Sequence, residues 1–409
     1  MTRMQQILNK LEYETGSAQT IENMCHNAGK QPFSDNLIQF LSAWSRKILK
    51  HTDAKKYPDV ITFAFWIRRA NVEILKERFD MRDRIVRGRG VAFHIAPSNV
   101  AVNYAYSLVV GLLTGNANIV RIPSKQFPQT EILNKTLNDT LLEYTLWQND
   151  ICLVRYGHDR EVNDALSSIA DTRIIWGGDA TIREIRQSIL KPRAYDICFA
   201  DRYSLAVIDV RAYLECEDKV DLARKFYNDT YMTDQNACTS PRIVVWHTQG
   251  TVDVEQKQAY HLFWHYLWDV IQTKYEIQPV QAVNKLTTFL RSSGQLASNI
   301  SRIFDKDIEE DNRMWRIRVE RIDTQLMDYL ENSGYFYEYE CTDLTELVPI
   351  CGTRCQTIAY YGSKQMFDPL LKQNIKGIDR IVPIGKTMEF DMIWDGYNLY
   401  EMLTRKIVD

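Results

Sequence analysis

A chain of 409 residues exceeds what one ordinary hydrophobic core holds together and calls for two or three domains. Its apolar share of 45% and charged share of 25% are those of a soluble globular protein, which excludes a fibrous or disordered chain. A formal net charge of -3 provides no general attraction for nucleic acid or an anionic membrane, so partners have to be argued from sites.

In chain order, FLSAWSRKIL and VITFAFWIRRANVEILKERF repeat near helical spacing between Ser34 and Glu77, with Pro58 as a break; they predict two helices in an N-terminal lead-in over residues 1–90. A cofactor domain is expected over residues 91–205. It starts with a strand from Val91 to Ile95 that stops at Ala96-Pro97, followed by the helix VAVNYAYSLVVGLLTGN and the strand NIVRIP. ICLVRYG, TRIIW and SLAVIDV read as strands, alternating with the helices DREVNDALSSIA and GGDATIREIRQSIL. Such alternation indicates βαβ units around a parallel sheet. A second α/β domain is expected over residues 206–375, with the helix DKVDLARKFYNDTYM, the strand RIVVWH, a long helix from Asp253 to about Tyr275, and weaker signals in RMWRIRVERI and QTIAYYG. The tail, residues 376–409, is expected to return to the first domain or reach a partner subunit.

Eight scattered cysteines and an opening, MTRMQQILNKLEYETG, without an apolar leader predict free thiols in a reducing cytoplasm. The apolar stretches are shorter than a membrane span. No GxGxxG fingerprint occurs, but Gly157 follows the strand CLVRY and Gly177-Gly178 follow RIIW. Glycine there either makes a turn or lets a flat ring approach the backbone, and a helix opening beyond Gly178 offers free N–H groups. His261 and His265 have the spacing of a metal pair, yet HLFWH lacks the glutamate of a zinc protease helix, and CGTRC at 351 to 355 lacks a second ligand pair, so no metal site is expected. No GxSxG elbow marks a serine hydrolase. Cys238 differs from the other cysteines by its setting, TDQNACTSPR: polar donors and the nearby Arg242 favour thiolate over thiol, the form that acts as a nucleophile.

Taken in order, GVAFHIAPSNV, LLTGNANIVRIPSK, RIIWGGDATI, DQNACTSPR and the closing RIVPIGKTMEF...WDGYNLYEMLTR resemble the aldehyde dehydrogenase superfamily, in particular its LuxC-type branch of fatty acyl-CoA reductases. The resemblance covers most of the chain from about Val91 onward. It implies a Rossmann-type parallel-sheet cofactor domain and a second α/β catalytic domain. By the same likeness Cys238 is the nucleophile that takes the acyl group as a thioester, and Asn99 with the Cys238 backbone N–H forms the oxyanion hole. Pro97, Ser98, Arg121, Ser124 and Lys125 fall at the cofactor strand ends, and Gly157, Gly177, Gly178 and Asp179 flank adenine and pyrophosphate. An arginine with Ser and Lys beside it suits a 2′-phosphate, which favours NADPH, with NADH as the alternative.

One departure bears on chemistry. The hydrolytic members of the superfamily carry a glutamate that activates water, and counting back from Ser204 in CFADRYSLAVI places that position near Phe199, with Asp201 close by. The implied activity is therefore reduction of an acyl-CoA or acyl-protein thioester to an aldehyde. An oxidising aldehyde dehydrogenase and a non-catalytic acyl-carrying scaffold subunit are the other readings. The resemblance further implies a homo-oligomer and, as associates, an acyl-protein synthetase and an acyltransferase.

Overall fold

The computed structural model describes residues 2–26, 28–79, 85–98, 100–303 and 311–408. The chain divides into two units, residues 1–200 together with 390–409, and residues 201–389.

The first unit is built on a six-stranded sheet in the order Glu12–Thr15, Ile151–Arg155, Ala117–Arg121, Val91–Ile95, Thr172–Trp176, Tyr195–Phe199. Only the Glu12–Thr15 edge runs antiparallel. The five parallel strands lie in the order third, second, first, fourth, fifth along the chain, so the winding reverses between Val91–Ile95 and Thr172–Trp176, which pair directly. Alternate side chains explain why both faces are covered. Val91, Phe93 and Ile95 pack with Ile21, Val162 and Leu166 on one side, while Ala92, Val120 and Leu153 pack with Phe40, Trp44, Leu108 and Leu133 on the other. Residues 1–90 are thus more than a lead-in: they supply the edge strand and helices of both layers, in which Asp35–Lys50, Pro58–Trp66 and Arg69–Phe79 are three helices instead of two. Residues 390–409 complete the same core through Met392, Trp394, Leu399, Tyr400 and Leu403, and their strand Thr404–Ile407 pairs antiparallel with Ile85–Gly88.

The polar residue inside the strand VAFHI is accommodated by a buried network. His94 meets Ser107 Oγ at 2.7 Å and Asn118 Oδ1 at 3.0 Å, and Trp176 Nε1 donates to Ser107 Oγ at 3.1 Å. Burial pulls the His94 imidazole down to about 4, so the ring is neutral at physiological pH.

The second unit carries a seven-stranded sheet in the order Ile300–Ile303, Trp315–Val319, Tyr335–Cys341, Pro241–His247, Tyr203–Asp209, Cys355–Tyr361, Arg380–Pro383, parallel except for Ile300–Ile303. Central Pro241–His247 sends Ile243 and Val245 to one face and Val244 and Trp246 to the other, where helices Lys219–Thr230 and Asp253–Lys274 cover it. Strand Tyr335–Cys341 buries a charge: Glu338 accepts from Arg316 Nε at 2.6 Å and from the indole N–H groups of Trp246 at 3.0 Å and Trp264 at 2.9 Å. Among the described residues, no helix is long and apolar enough to cross a membrane.

Candidate active site

In an open parallel sheet, ligands bind beyond the carboxyl ends of the strands where the winding reverses. The first unit places its sequence-predicted cofactor residues along that edge. Pro97 and Ser98 leave Val91–Ile95 beside Arg121, whose carbonyl accepts from Ala96 N at 3.0 Å. Arg121 lies over the Tyr156 ring, 4.6 Å from its centroid, and donates to the Gly157 carbonyl at 3.2 Å. The following loop meets the Asp179–Ile185 helix, with His158 Nδ1 at 3.6 Å from Glu184 Oε1 and Arg160 Nη1 at 3.4 Å from Gln187 Oε1. Arg121, Gly157 and the turn at Gly177 and Gly178 therefore belong to one group of loops. Ser98, Ser124, Lys125, Gly157, Gly178 and Asp179 are exposed. Asn99 lies outside the described residues.

The two glycines Gly157 and Gly178 are informative because the fold does not require them. Neither has the positive φ that excludes side chains, and a Cβ built on either would meet nothing within 4 Å. A side chain at either position would stand in open space beside the strand ends. Gly177 is different, since a Cβ there would come within 3.2 Å of Thr181.

Cys238 sits in the second unit on the loop between helix Lys219–Thr230 with its trailing turn Tyr231–Thr233 and strand Pro241–His247. The loop is held at both ends by Gln235, which is fully buried. Its side-chain oxygen accepts from Gly334 N at 2.6 Å and Tyr335 N at 3.2 Å, and its side-chain nitrogen donates to Pro241 O at 3.0 Å. In return, Arg242 Nη2 donates to the Gln235 carbonyl at 3.0 Å. Asp234 and Gln235 both have left-handed backbones, with φ of 52° and 54°, and these turn the chain sharply ahead of the cysteine. Tyr275 OH caps the Asp234 carboxylate at 2.6 Å.

Cys238 is half-buried, as are Cys198 and Cys216, and Cys25 is exposed, whereas Cys152, Cys341, Cys351 and Cys355 are buried. Burial pushes the Cys152 and Cys341 thiols up to about 12, which leaves almost no thiolate at neutral pH. Arg242 is half-buried: desolvation lowers its affinity for a proton, and the charges of Asp201 and Cys238 work against that loss.

The segment that contains Met388 borders the loop. Thr239 Oγ1 donates to Met388 Sδ at 3.4 Å, in a segment held by Asp229, whose two oxygens accept from Gly385 N at 2.6 Å and Thr387 N at 3.1 Å. Burial pushes the Asp229 carboxyl up to about 6. Sequence reasoning passed over Asp229 and the clasp made by Gln235, because helix position and a polar run look like solvated surface until the partner strands are known.

At the position counted for the water-activating glutamate, Phe199 is buried and stacks on Trp176, with ring centroids 3.6 Å apart and planes at 11°. Asp201 is exposed and pairs with Arg354 at 3.2 Å. His261 and His265 lie on the exposed side of their helix, and the described residues contain no group of three or more His, Cys, Asp or Glu arranged to hold a metal ion.

The model of the family described as acyl-CoA reductase (LuxC) matches residues 72–405. The chain is similar to the long-chain acyl-protein thioester reductase of Aliivibrio fischeri, 21% identical over 360 residues that make up 86% of this chain and 69% of that protein. Among solved structures, it is similar to the 1-pyrroline-5-carboxylate dehydrogenase of Thermus thermophilus, with a TM-score of 0.63 and 11% identity over 96% of this chain and 86% of that one. The lactaldehyde dehydrogenase of Escherichia coli gives a TM-score of 0.59 and 14% identity over 95% of this chain and 85% of the other. The indole-3-acetaldehyde dehydrogenase of P. syringae, solved with NAD+, gives 0.62 and 11% over 91% and 82%. The fold is that of the aldehyde dehydrogenases.

Proposed function

The chain belongs to the acyl-CoA reductase (LuxC) family, and from that premise we propose that it reduces an acyl thioester to the aldehyde with NADPH, through a thioester formed on Cys238. The observation that carries this reading is the setting of Cys238, a half-buried cysteine on a loop whose ends are held by Gln235 and Arg242, with the charge of the Arg242 guanidinium acting on it. The name of the Aliivibrio fischeri relative supports a thioester as the substrate, with the acyl group carried on CoA or on a protein thiol.

The Cys238 thiolate attacks the acyl carbon; a new carbon–sulfur bond forms and the carrier leaves as its thiolate. Arg242 favours the ionised sulfur, and Gln235 keeps the loop from recoiling as the bond forms. By motif, Asn99 and the Cys238 N–H are the donors to the oxyanion, where preorganised hydrogen bonds act more strongly than in water. Gly157, Gly177, Gly178 and Asp179 would hold adenine and pyrophosphate, Pro97 and Ser98 would border the site, and Arg121, Ser124 and Lys125 would take the 2′-phosphate. The open faces of Gly157 and Gly178 and the two cations support that fit. When bound, NADPH supplies the hydride that takes the acyl carbon to the aldehyde level. By motif the position of the water-activating glutamate falls near Phe199, and the neighbouring carboxylate of Asp201 is paired with Arg354, which favours reduction of the thioester over its hydrolysis.

The test is to incubate the protein with acyl-labelled acyl-CoA without NADPH. Label is expected to stay on the wild-type protein and to be absent from Cys238→Ala. A Cys238→Ala protein that acquires label at the wild-type level overturns the proposal.

A further inference from the structure

Strand Tyr203–Asp209 breaks its regular pairing on both sides at its first residues. Toward Pro241–His247 the register shifts between Ser204 and Leu205, and toward Cys355–Tyr361 it shifts between Cys355 and Ile358. Irregularities of this kind re-aim a side chain out of the alternation of the strand. The residue at the break is Ser204, which is fully buried. Its hydroxyl donates to the Cys238 carbonyl at 2.7 Å and accepts from Thr357 N at 3.2 Å.

A regular ladder would pair the Thr357 N–H with a strand neighbour, whereas the Cys238 carbonyl lies in the loop ahead of strand Pro241–His247. Here a single hydroxyl joins them, so the carbonyl of Cys238 is tied through Ser204 to a third segment of the sheet. A hydroxyl suits this place because it donates and accepts at once, which neither alanine nor an ionised carboxylate can do. The clasp by Gln235 fixes where the loop begins and ends, and the bond from Ser240 N to the Ala237 carbonyl at 3.0 Å closes a turn around Cys238 and Thr239. Ser204 ties the carbonyl inside that turn to the sheet.

We infer that Ser204 is a positioning residue for the nucleophile: through its hydrogen bond to the Cys238 carbonyl it sets the orientation from which the sulfur attacks the acyl carbon. This rests on the reading of Cys238 as the acyl acceptor. Misplacing a reacting group by about an ångström costs up to ~100-fold in rate, so loss of this one bond is expected to slow acylation by roughly 10- to 100-fold while the affinity for the thioester changes little.

The experiment compares wild type, Ser204→Ala and Ser204→Thr, the last keeping a hydroxyl. Two measurements are made on each: single-turnover acylation by labelled acyl-CoA over a range of concentrations, and amide hydrogen exchange over the whole chain. In Ser204→Ala the limiting acylation rate is expected to fall about 10-fold or more with half-saturation within about 2-fold, and exchange to quicken in residues 236–240 and not across the sheet. Ser204→Thr is expected to recover both readouts to within about 3-fold of wild type. Ser204→Ala acylated at the wild-type rate, or Ser204→Thr as slow as Ser204→Ala, overturns the inference. Exchange that quickens across the whole second unit also overturns it, since the hydroxyl is then a general stabiliser. If the wild-type protein takes no label, the proposed function fails by itself. The exchange pattern then decides whether Ser204 holds the loop, and unchanged exchange at residues 236–240 refutes the positioning.

Discussion

Replacing Asp229 by asparagine separates a titratable grip on the segment beside the Cys238 loop from a merely polar one. The carboxyl is held near 6 in the folded protein by burial, against ~3.9 in an unfolded chain. The sign follows from proton binding: between these values the folded state binds the proton and the unfolded state does not. The protonated acid therefore contributes stability in full below the unfolded value, and this contribution is lost as pH rises through about 6. Integrating proton uptake from pH 7 to pH 5 with these two values gives a gain of about 1.3 kcal/mol for this one group. Equilibrium urea unfolding of wild type and Asp229→Asn at both pH values, at one ionic strength, isolates it, because every other titrating group contributes equally to the two proteins. Wild type is expected to gain more on acidification than the variant by that amount. Equal gains in the two proteins, or a larger gain in the variant, refute the reasoning.

Asn99→Ala is expected to slow acylation of Cys238 by roughly 100- to 1000-fold with little change in thermal stability, measured by stopped acyl transfer and by melting. Gly178→Val and Gly157→Val are expected to fold normally, since a Cβ at either position meets nothing within 4 Å, and to raise KM for NADPH by about 10-fold or more; unaltered KM removes these glycines from the cofactor site. Gln235→Met leaves Gly334 N, Tyr335 N and Pro241 O without their partner, and unfolding is expected to become easier by about 3 kcal/mol, at about 1 kcal/mol or more for each stranded group.

The parallel framework was legible in the sequence because its strands are buried on both faces and so read as short apolar runs. VAFHI, NIVR, ICLVR and TRIIW all fall within a residue or two of the observed strands. Two kinds of strand escaped. Glu12–Thr15 is an edge strand with one solvated side, and its sequence, EYET, carries no apolar alternation. Tyr335–Cys341 reads YFYEYEC, whose acidic residues suggest surface; Glu338 is nevertheless buried because an arginine and two indoles on other elements neutralise and hydrogen-bond it. The same reason limited the reading of the loop around Cys238. The cysteine and its polar neighbours stand out in the sequence, but the bonds that fix them come from Ser204, Gly334 and Tyr335. Those partners are distant in the chain, and main-chain groups among them carry no signature at all.

The pairing of Thr404–Ile407 with Ile85–Gly88 has a consequence for the order in which the molecule is made. The carbonyls of Met402 and Leu403 accept from Arg89 and Asn116, so the earlier residues of the first unit wait for the latest ones. During synthesis, residues 201–389 emerge as an uninterrupted stretch and have every strand of their own sheet before residues 390–409 leave the ribosome. The half that bears the cysteine is thus assembled from contiguous chain, while the half expected to hold the dinucleotide closes last.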